Sequence, residues 1–378
     1  MNTIYLDNAA TTKIDKEVLE LLYTSAQDNF GNPSSTHQFG RKAKSAIETA
    51  RKNIANHFNV SASEIIFTSG GTEADNLILH NAVLNIGIQR IITSKLEHHA
   101  VLNTCIYLQK TNNITVDYVK NDSFGRIDLK HLTELLVTSN QKTLVSLLFI
   151  NNEIGTILPV NAVVDICKRH AALFHSDTVQ AIGHYPIDLK KTPIDFIVAS
   201  AHKFHGPKGV GFAYFKKGFG ILPMIHGGSQ EKGARASTEN VQAILAMEKA
   251  LQITVSNAPT IKEHIQNIKL YFISELQKLS KNIQFNGLSD DLQKSSHRIL
   301  NVRFPLQNNM LLFSLDLAGI AASGGSACQS GSNKGSHVLA EILLQKEAAN
   351  TTSVRFSFSK FTTMAEIDQT ILVLQKLL

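Results

Sequence analysis

Lys203 is the residue best able to do covalent chemistry. It follows Ile194-Asp195-Phe196-Ile197-Val198-Ala199, an apolar, partly β-branched run that predicts a buried strand, and it precedes the glycine-rich turn Gly206-Pro207-Lys208-Gly209. A lysine where a central strand ends is partly desolvated, which lowers its pKa and yields a neutral amine at physiological pH. Such an amine condenses with an aldehyde to a Schiff base. Upstream, Leu173-Phe174-His175-Ser176-Asp177 predicts a second short strand with a carboxylate at its end. A lysine and an aspartate at strand ends are what pyridoxal phosphate needs: an anchor for its aldehyde and a partner for its pyridinium nitrogen. The competing reading of Lys203 is a surface lysine after an edge strand.

Other residues carry weaker signals of the same kind. Ser69-Gly70-Gly71-Thr72 links a predicted strand to a predicted helix. Free amides at a helix start, glycines that let an anion approach, and the Thr72 hydroxyl suit a phosphate; an ordinary helix cap fits equally well. Neither a Walker sequence nor a dinucleotide fingerprint is present. His98, just after a strand end, could stack on a flat ring or move protons, or merely cap a helix. Asn152 and Gln180 follow strand-like runs and could hydrogen-bond a ring substituent. Arg355, in the alternating run Ser353-Val354-Arg355-Phe356-Ser357, could clamp a carboxylate or lie exposed on its strand. Cys328 sits in a Gly/Ser-rich stretch, 323 to 336, that predicts a mobile loop and an exposed, usable thiol. Cys105 and Cys167 lie in helical, mixed-apolar surroundings and are expected to be buried.

These residues need a scaffold of alternating strands and helices, and the chain supplies one. Ala43, Ala46, Ile47, Ala50, Ile54 and Phe58 recur at helical spacing, and short apolar strands are predicted at 64 to 68, 90 to 94, 144 to 150, 173 to 177, 194 to 199 and 209 to 215. The alternation predicts an α/β fold with a mostly parallel sheet. Near Pro259 the pattern changes to a long amphipathic helix and then to shorter strands such as 299 to 304, so a boundary falls at 255 to 260. The chain has 378 residues, 43% hydrophobic and 18% charged, with a formal net charge of +6 spread without a run of five or more like charges. That composition is globular and gives no indication of nucleic-acid binding. Three widely spaced cysteines suit a reducing compartment, and neither a signal peptide nor a membrane-length apolar stretch is evident, so a cytoplasmic protein is expected.

Taken in order, the motifs resemble the pyridoxal-phosphate-dependent cysteine desulfurases of the NifS/IscS-like branch, within the class V aminotransferase group. The resemblance is carried by Tyr5-Leu6-Asp7-Asn8-Ala9-Ala10-Thr11-Thr12, Gly31-Asn32-Pro33-Ser34-Ser35-Thr36-His37, Ser69-Gly70-Gly71-Thr72-Glu73 and Glu97-His98-His99-Ala100-Val101. It continues through Asn151-Asn152-Glu153-Ile154-Gly155, Ser200-Ala201-His202-Lys203, Arg235-Ala236-Ser237-Thr238-Glu239-Asn240, Ser326-Ala327-Cys328 and Ser353-Val354-Arg355-Phe356-Ser357.

The resemblance implies a fold-type-I enzyme acting as a homodimer. Its large domain, 15–257, would hold a mostly parallel seven-stranded sheet, and a small α+β domain would comprise 1–14 and 258–378. Lys203 would anchor the cofactor and Asp177 would keep its ring nitrogen protonated. His98 would stack on the ring and help move protons, Gln180 would contact the ring oxygen, and Asn152 the cofactor or substrate. Gly71, Thr72, Ser200 and His202 would bind the phosphate, with Thr238 reaching in from the partner subunit. Arg355 would hold the α-carboxylate of L-cysteine. Cys328 would take the sulfur as a persulfide and pass it to an acceptor protein for iron–sulfur cluster assembly or RNA thiolation. No metal site is implied, beyond a cluster or iron contact at Cys328.

Three departures from the family pattern stand out: the chain ends at Leu378, soon after Arg355; Cys328 is followed by Gln329-Ser330-Gly331-Ser332; and Ala236-Ser237-Thr238 replaces Ser-Gly-Thr. The acceptor therefore stays open. The alternatives are a selenocysteine lyase on the same scaffold, a metal-dependent hydrolase using His98, His99, His175, Asp177 and His202, and a partner-binding protein without catalysis.

Overall fold

A computed structural model describes residues 3–308, 310–324, 335–345 and 350–378. The strands are β1 (Ile4–Tyr5), β2 (Ile65–Thr68), β3 (Arg90–Thr93), β4 (Thr115–Tyr118), β5 (Thr143–Ser146), β6 (Leu173–Ser176), β7 (Phe196–Ser200), β8 (Gly211–Phe215), β9 (Gln284–Phe285), β10 (Ile299–Phe304), β11 (Ile320–Ala321) and β12 (Thr352–Ser357). The helices that position the site are α1 (Lys16–Asp28), α2 (Gln38–His57), α3 (Gly71–Leu84) and α4 (His99–Asn112). They are followed by α5 (Leu129–Val137), α6 (Val160–Arg169), α7 (Val241–Ser256) and α8 (Ala258–Leu279).

Strands β2 to β8 form one seven-stranded sheet in the order β2-β8-β7-β6-β5-β3-β4. Every neighbouring pair is parallel except those made by β8, which runs antiparallel to both β7 and β2. The period-2 geometry of a strand divides the side chains between two layers. Ile66, Ile91, Leu144, Phe196, Val198, Ala213 and Phe215 pack with α3 and α4 on one face. Ile65, Phe67, Ile92, Val145, Phe174, Ile197, Ala199, Phe212 and Tyr214 pack with α2, α6 and α7 on the other. Burial on both faces is why these strands read as short, continuous apolar runs. The predicted strand over 144 to 150 is shorter in the fold: β5 ends at Ser146, and the chain turns away to carry Leu148 and Asn152 to the sheet edge.

A separate cluster forms around the three-stranded sheet β12-β10-β9. Ile265, Ile268, Phe272 and Leu276 of α8 pack onto Leu300, Val302, Val354 and Phe356. Ile4 and Leu6, from the start of the chain, belong to this cluster, because β1 pairs in parallel with β11. The chain then crosses to the large sheet as an extended strap, 7 to 15. The Thr12 N–H and hydroxyl both donate to the His202 carbonyl at 2.8 Å, and Lys360 pairs with Asp15.

Two glycines make the sheet edge possible. Gly70 has φ +150° and ψ −174°, a conformation essentially closed to other residues. Gly211 pairs with Ser200 across β7–β8, and a Cβ there would lie 2.2 Å from the Ala199 carbonyl oxygen and 2.8 Å from Gly70 Cα. Gly211→Ala is therefore expected to destabilise the protein by about 1–3 kcal/mol, as overpacking does. An unchanged denaturant midpoint would refute this account of the strand contact.

Candidate active site

Strands β2, β3, β5, β6 and β7 all point the same way, so their carboxyl ends share one edge of the sheet, where ligands bind in open α/β folds. Each short strand delivers a functional group just past its end. A cavity of about 210 Å³ opens there, lined by Ala9, Ala10, Gly71, Thr72, Asp75, His98, Leu148, Asn152, Asp177, Val179, Gln180, Ser200, His202, Lys203 and Arg355. Gly71, Thr72, His98, Asn152, Asp177, Gln180, Ser200, His202, Lys203 and Arg355, all named from sequence, thus meet in one place.

Lys203 closes a 3-10 turn, Ala201–Lys203, directly after β7. Its Nζ donates to the carbonyls of Ala9 at 2.8 Å and Ala10 at 2.7 Å. The turn is pinned from behind, where a His184 ring nitrogen meets the Lys203 carbonyl at 2.9 Å. Asp177 is 4% exposed, and its Oδ1 accepts from the Val179 N–H at 2.9 Å. Burial pushes its carboxyl up to about 6, against the Val179 N–H and the Lys203 charge, which pull it down. Gln180 donates to the Ala9 carbonyl at 2.9 Å, fixing the strap over the cavity.

His98 caps α4 and also lines the cavity. Its Nδ1 accepts from the Ala100 N–H at 3.1 Å. Burial, then the Lys203 and His337 charges, lowers it to about 4, which leaves a neutral ring. His202 is lowered to about 4 by burial and then by Lys203 and Lys208, and its Nδ1 meets Thr11 Oγ1 at 3.1 Å. Arg355 is not the exposed strand residue its alternating pattern allowed: it is 1% exposed. Its Nη1 donates to the Asn152 carbonyl and its Nη2 to Asp7 Oδ1, both at 2.8 Å, while its Nε has no acceptor among the described residues.

Asp75, Ala9, Ala10, Leu148 and Val179 were not singled out from sequence. Asp75 lies three residues after Thr72 on α3, and that helical spacing was the available signal. It is fully buried, with its Oδ1 3.3 Å from His175 Nε2. Burial, with Asp177 and Glu97 nearby, raises its carboxyl well above the usual range. The His175 Nδ1 meets Ser146 Oγ at 2.8 Å. Thr238 is exposed and does not line the cavity of its own chain. Beside it Ser237 has φ +91°, a strained value for a side-chain-bearing residue, where the family pattern has glycine. Cys105 and Cys167 are buried, as expected from their helical surroundings. Cys328 lies outside the described residues.

The donor set fits pyridoxal phosphate. The first turn of α3 offers free amides beside the Thr72 hydroxyl. The Gly70–Gly71 backbone leaves space that a Cβ at Gly70 would fill to within 3.3 Å of Ser200 Oγ. Asp177 and Lys203 share the same cavity. Sheet, strap and site define a fold-type-I pyridoxal-phosphate enzyme. Residues 4–370 match the family model Aminotransferase class-V, and the chain belongs to that family.

Its relatives include the cysteine desulfurase IscS of Dictyoglomus turgidum, 40% identical over 99% of this chain and 94% of that protein. A putative cysteine desulfurase IscS 1 of Bacillus subtilis is 40% identical over 97% of this chain and 96% of that one. Among solved structures, a NifS-like protein superposes with a TM-score of 0.90 at 36% identity, covering 99% of both chains. SspA in complex with cysteine superposes at 0.81 with 30% identity, over 96% of this chain and all of that one.

The buried ionisable groups set the pH response. Burial holds His98, His175, His184, His202, His205 and His297 below the ordinary imidazole value. It holds Asp75, Glu97, Glu153 and Asp177 above the ordinary carboxyl value. Between pH 6.5 and 5 the unfolded chain protonates these histidines and the folded chain does not. The raised carboxylates act in the opposite sense but are fewer. Each proton of imbalance is worth about 1.4 kcal/mol per pH unit. Stability is therefore expected to fall as pH drops from 6.5 to 5, and a melting temperature that rises over that interval would contradict the assignment.

Proposed function

We infer that the chain is a cysteine desulfurase that uses pyridoxal phosphate to convert L-cysteine to L-alanine, leaving a persulfide on Cys328. The observation that carries this reading is the single cavity shared by Lys203, Asp177, His98, the α3 N-terminus and Arg355. When bound, pyridoxal phosphate supplies an aldehyde that amines can join and a ring that accepts electrons.

Lys203 is the anchoring amine; freed by the substrate amine, its Nζ takes the Cα proton. Asp177 holds a proton at the ring nitrogen. His98, neutral across physiological pH, would lie against the ring and move protons. Gln180 contacts the ring oxygen, and Asn152 contacts cofactor or substrate. Gly71, Thr72, Ser200 and His202 hold the phosphate, and Arg355 the substrate carboxylate. The Cys328 thiolate attacks the substrate sulfur. A sulfur–sulfur bond forms, the carbon–sulfur bond breaks with its electron pair going to carbon, that carbon is protonated, and Lys203 Nζ returns a proton to Cα. L-cysteine and the Cys328 thiol thus become L-alanine and a Cys328 persulfide.

A homodimer completes the site, with Thr238 supplied by the partner. Two features support this: Thr238 is exposed outside its own cavity, and Phe30 and Phe39 form an exposed aromatic pair with ring centroids 5.1 Å apart. A protein acceptor in iron–sulfur assembly or RNA thiolation takes the persulfide. The separate apolar clusters support a large domain of 15–257 and a small domain of 1–14 with 258–378. Among the described residues no helix is long and apolar enough to cross a membrane. The relatives do not favour the selenocysteine alternative.

Lys203→Ala is expected to abolish the visible absorbance band of the purified protein. A variant that stays yellow and remains reducible by borohydride would overturn the anchor assignment. Cys328→Ser is expected to keep the colour but to stop sulfide release from L-cysteine; normal turnover by that variant would remove the persulfide step.

A further inference from the structure

We infer that Asp7 is a fixed counter-charge that weakens the hold of Arg355 on the amino-acid carboxylate and so sets how readily substrate and product leave. The inference rests on the reading that Arg355 takes that carboxylate. Arg355 is the member of the pair on the cavity wall; Asp7 lies behind it and does not line the cavity. Asp7 Oδ1 accepts from Arg355 Nη2 at 2.8 Å. The Arg355 side chain is 1% exposed and that of Asp7 18%, so little water screens the pair. A guanidinium has five N–H donors. The Asn152 carbonyl and Asp7 take two of them, and among the described residues the Nε has no acceptor. Room therefore remains for a ligand carboxylate, which would share one positive charge with a carboxylate already in place.

The backbone that carries Asp7 is held in place. It bridges to Ser357, two residues along the strand from Arg355. The Asn8 side chain donates to the Ser357 carbonyl and the Ala9 N–H to Ser357 Oγ, both at 2.8 Å. The single proton of the Tyr5 hydroxyl is shared between the Thr11 carbonyl at 2.9 Å and the Asp7 carbonyl at 3.1 Å. The strap thus fixes Asp7 against β12, and ligand and Asp7 compete for the same charge without either being displaced. Such antagonism is reciprocal. L-Cysteine and L-alanine carry the same carboxylate, so a stronger grip would tighten both without favouring the step between them. Asp7 acts as a positioning residue that keeps this uniform binding weak.

The test is equilibrium titration of the holoenzyme with L-alanine and with L-alaninamide, whose carboxyl end is neutral, followed by the visible absorbance of the cofactor. Asp7→Asn keeps an acceptor for Nη2 and removes the charge. It is expected to bind L-alanine about 5-fold or more tightly than wild type, with L-alaninamide unchanged, and Asp7→Glu is expected to restore wild-type affinity. Misfolding does not tighten binding, so a gain is diagnostic. Asp7→Ser serves the same comparison if the amide variant does not accumulate as folded holoenzyme. Unchanged or weaker L-alanine binding by the uncharged variants, in a protein whose wild type prefers L-alanine to L-alaninamide, overturns the role of Asp7 alone. Equal tightening by Asp7→Glu overturns it too. A wild type indifferent to the carboxylate overturns the role of Arg355, and that of Asp7 with it.

Discussion

Keeping Asp177 charged inside the protein is the constraint around which the rest is arranged. A carboxylate at 4% exposure is costly unless hydrogen bonds and opposite charge compensate it. Here the compensation is lean: one backbone N–H from Val179 and the charge of Lys203 at the end of the next strand. Asp177 in turn helps to raise the carboxyls of Asp75 and Glu97, buried nearby. On the proposed reading, the raised Asp177 carboxyl is what would hold a proton against a ring nitrogen, as a carboxylate in a polar surface groove would not. The same edge keeps His98 and His202 neutral, because each sits in a dry site already under the Lys203 charge.

Much of the site was legible because parallel strands buried on both faces are short and end abruptly. The residues soon after each apolar run lie at the sheet edge; that rule makes Asp177, His98 and Lys203 candidates, and the resemblance supplied their roles. The glycine pair before α3 was legible too, since few residues other than glycine tolerate the Gly70 backbone conformation. Contacts between distant segments left no local trace. Nothing near Arg355 announces that Asp7 is its partner, and nothing near Lys203 announces the carbonyls of Ala9 and Ala10. The exposed position of Thr238 likewise has no signal in its own neighbourhood; only resemblance gave it a role.

Two apolar cores share this site, and the strap joins them. Ile4 and Leu6 pack in the cluster built on β10 and β12, while Thr12 is hydrogen-bonded to the turn after β7. Arg355 and Asp7 come from the side of the smaller sheet and Lys203, Asp177 and His98 from the larger. A shift of one core relative to the other would change the distance between the carboxylate grip and the reacting amine.

The strap also sets an order of events in biosynthesis. Its partners lie some two hundred to three hundred and fifty positions further along: the His202 carbonyl for Thr12, Ser357 for Asn8 and Ala9, Lys360 for Asp15. A ribosome must therefore release nearly the whole polypeptide before its first dozen residues can settle. Contacts of such long sequence separation form late. The nascent chain can assemble its large sheet early and still lack a finished pocket, which delays capture of the vitamin until translation is almost complete.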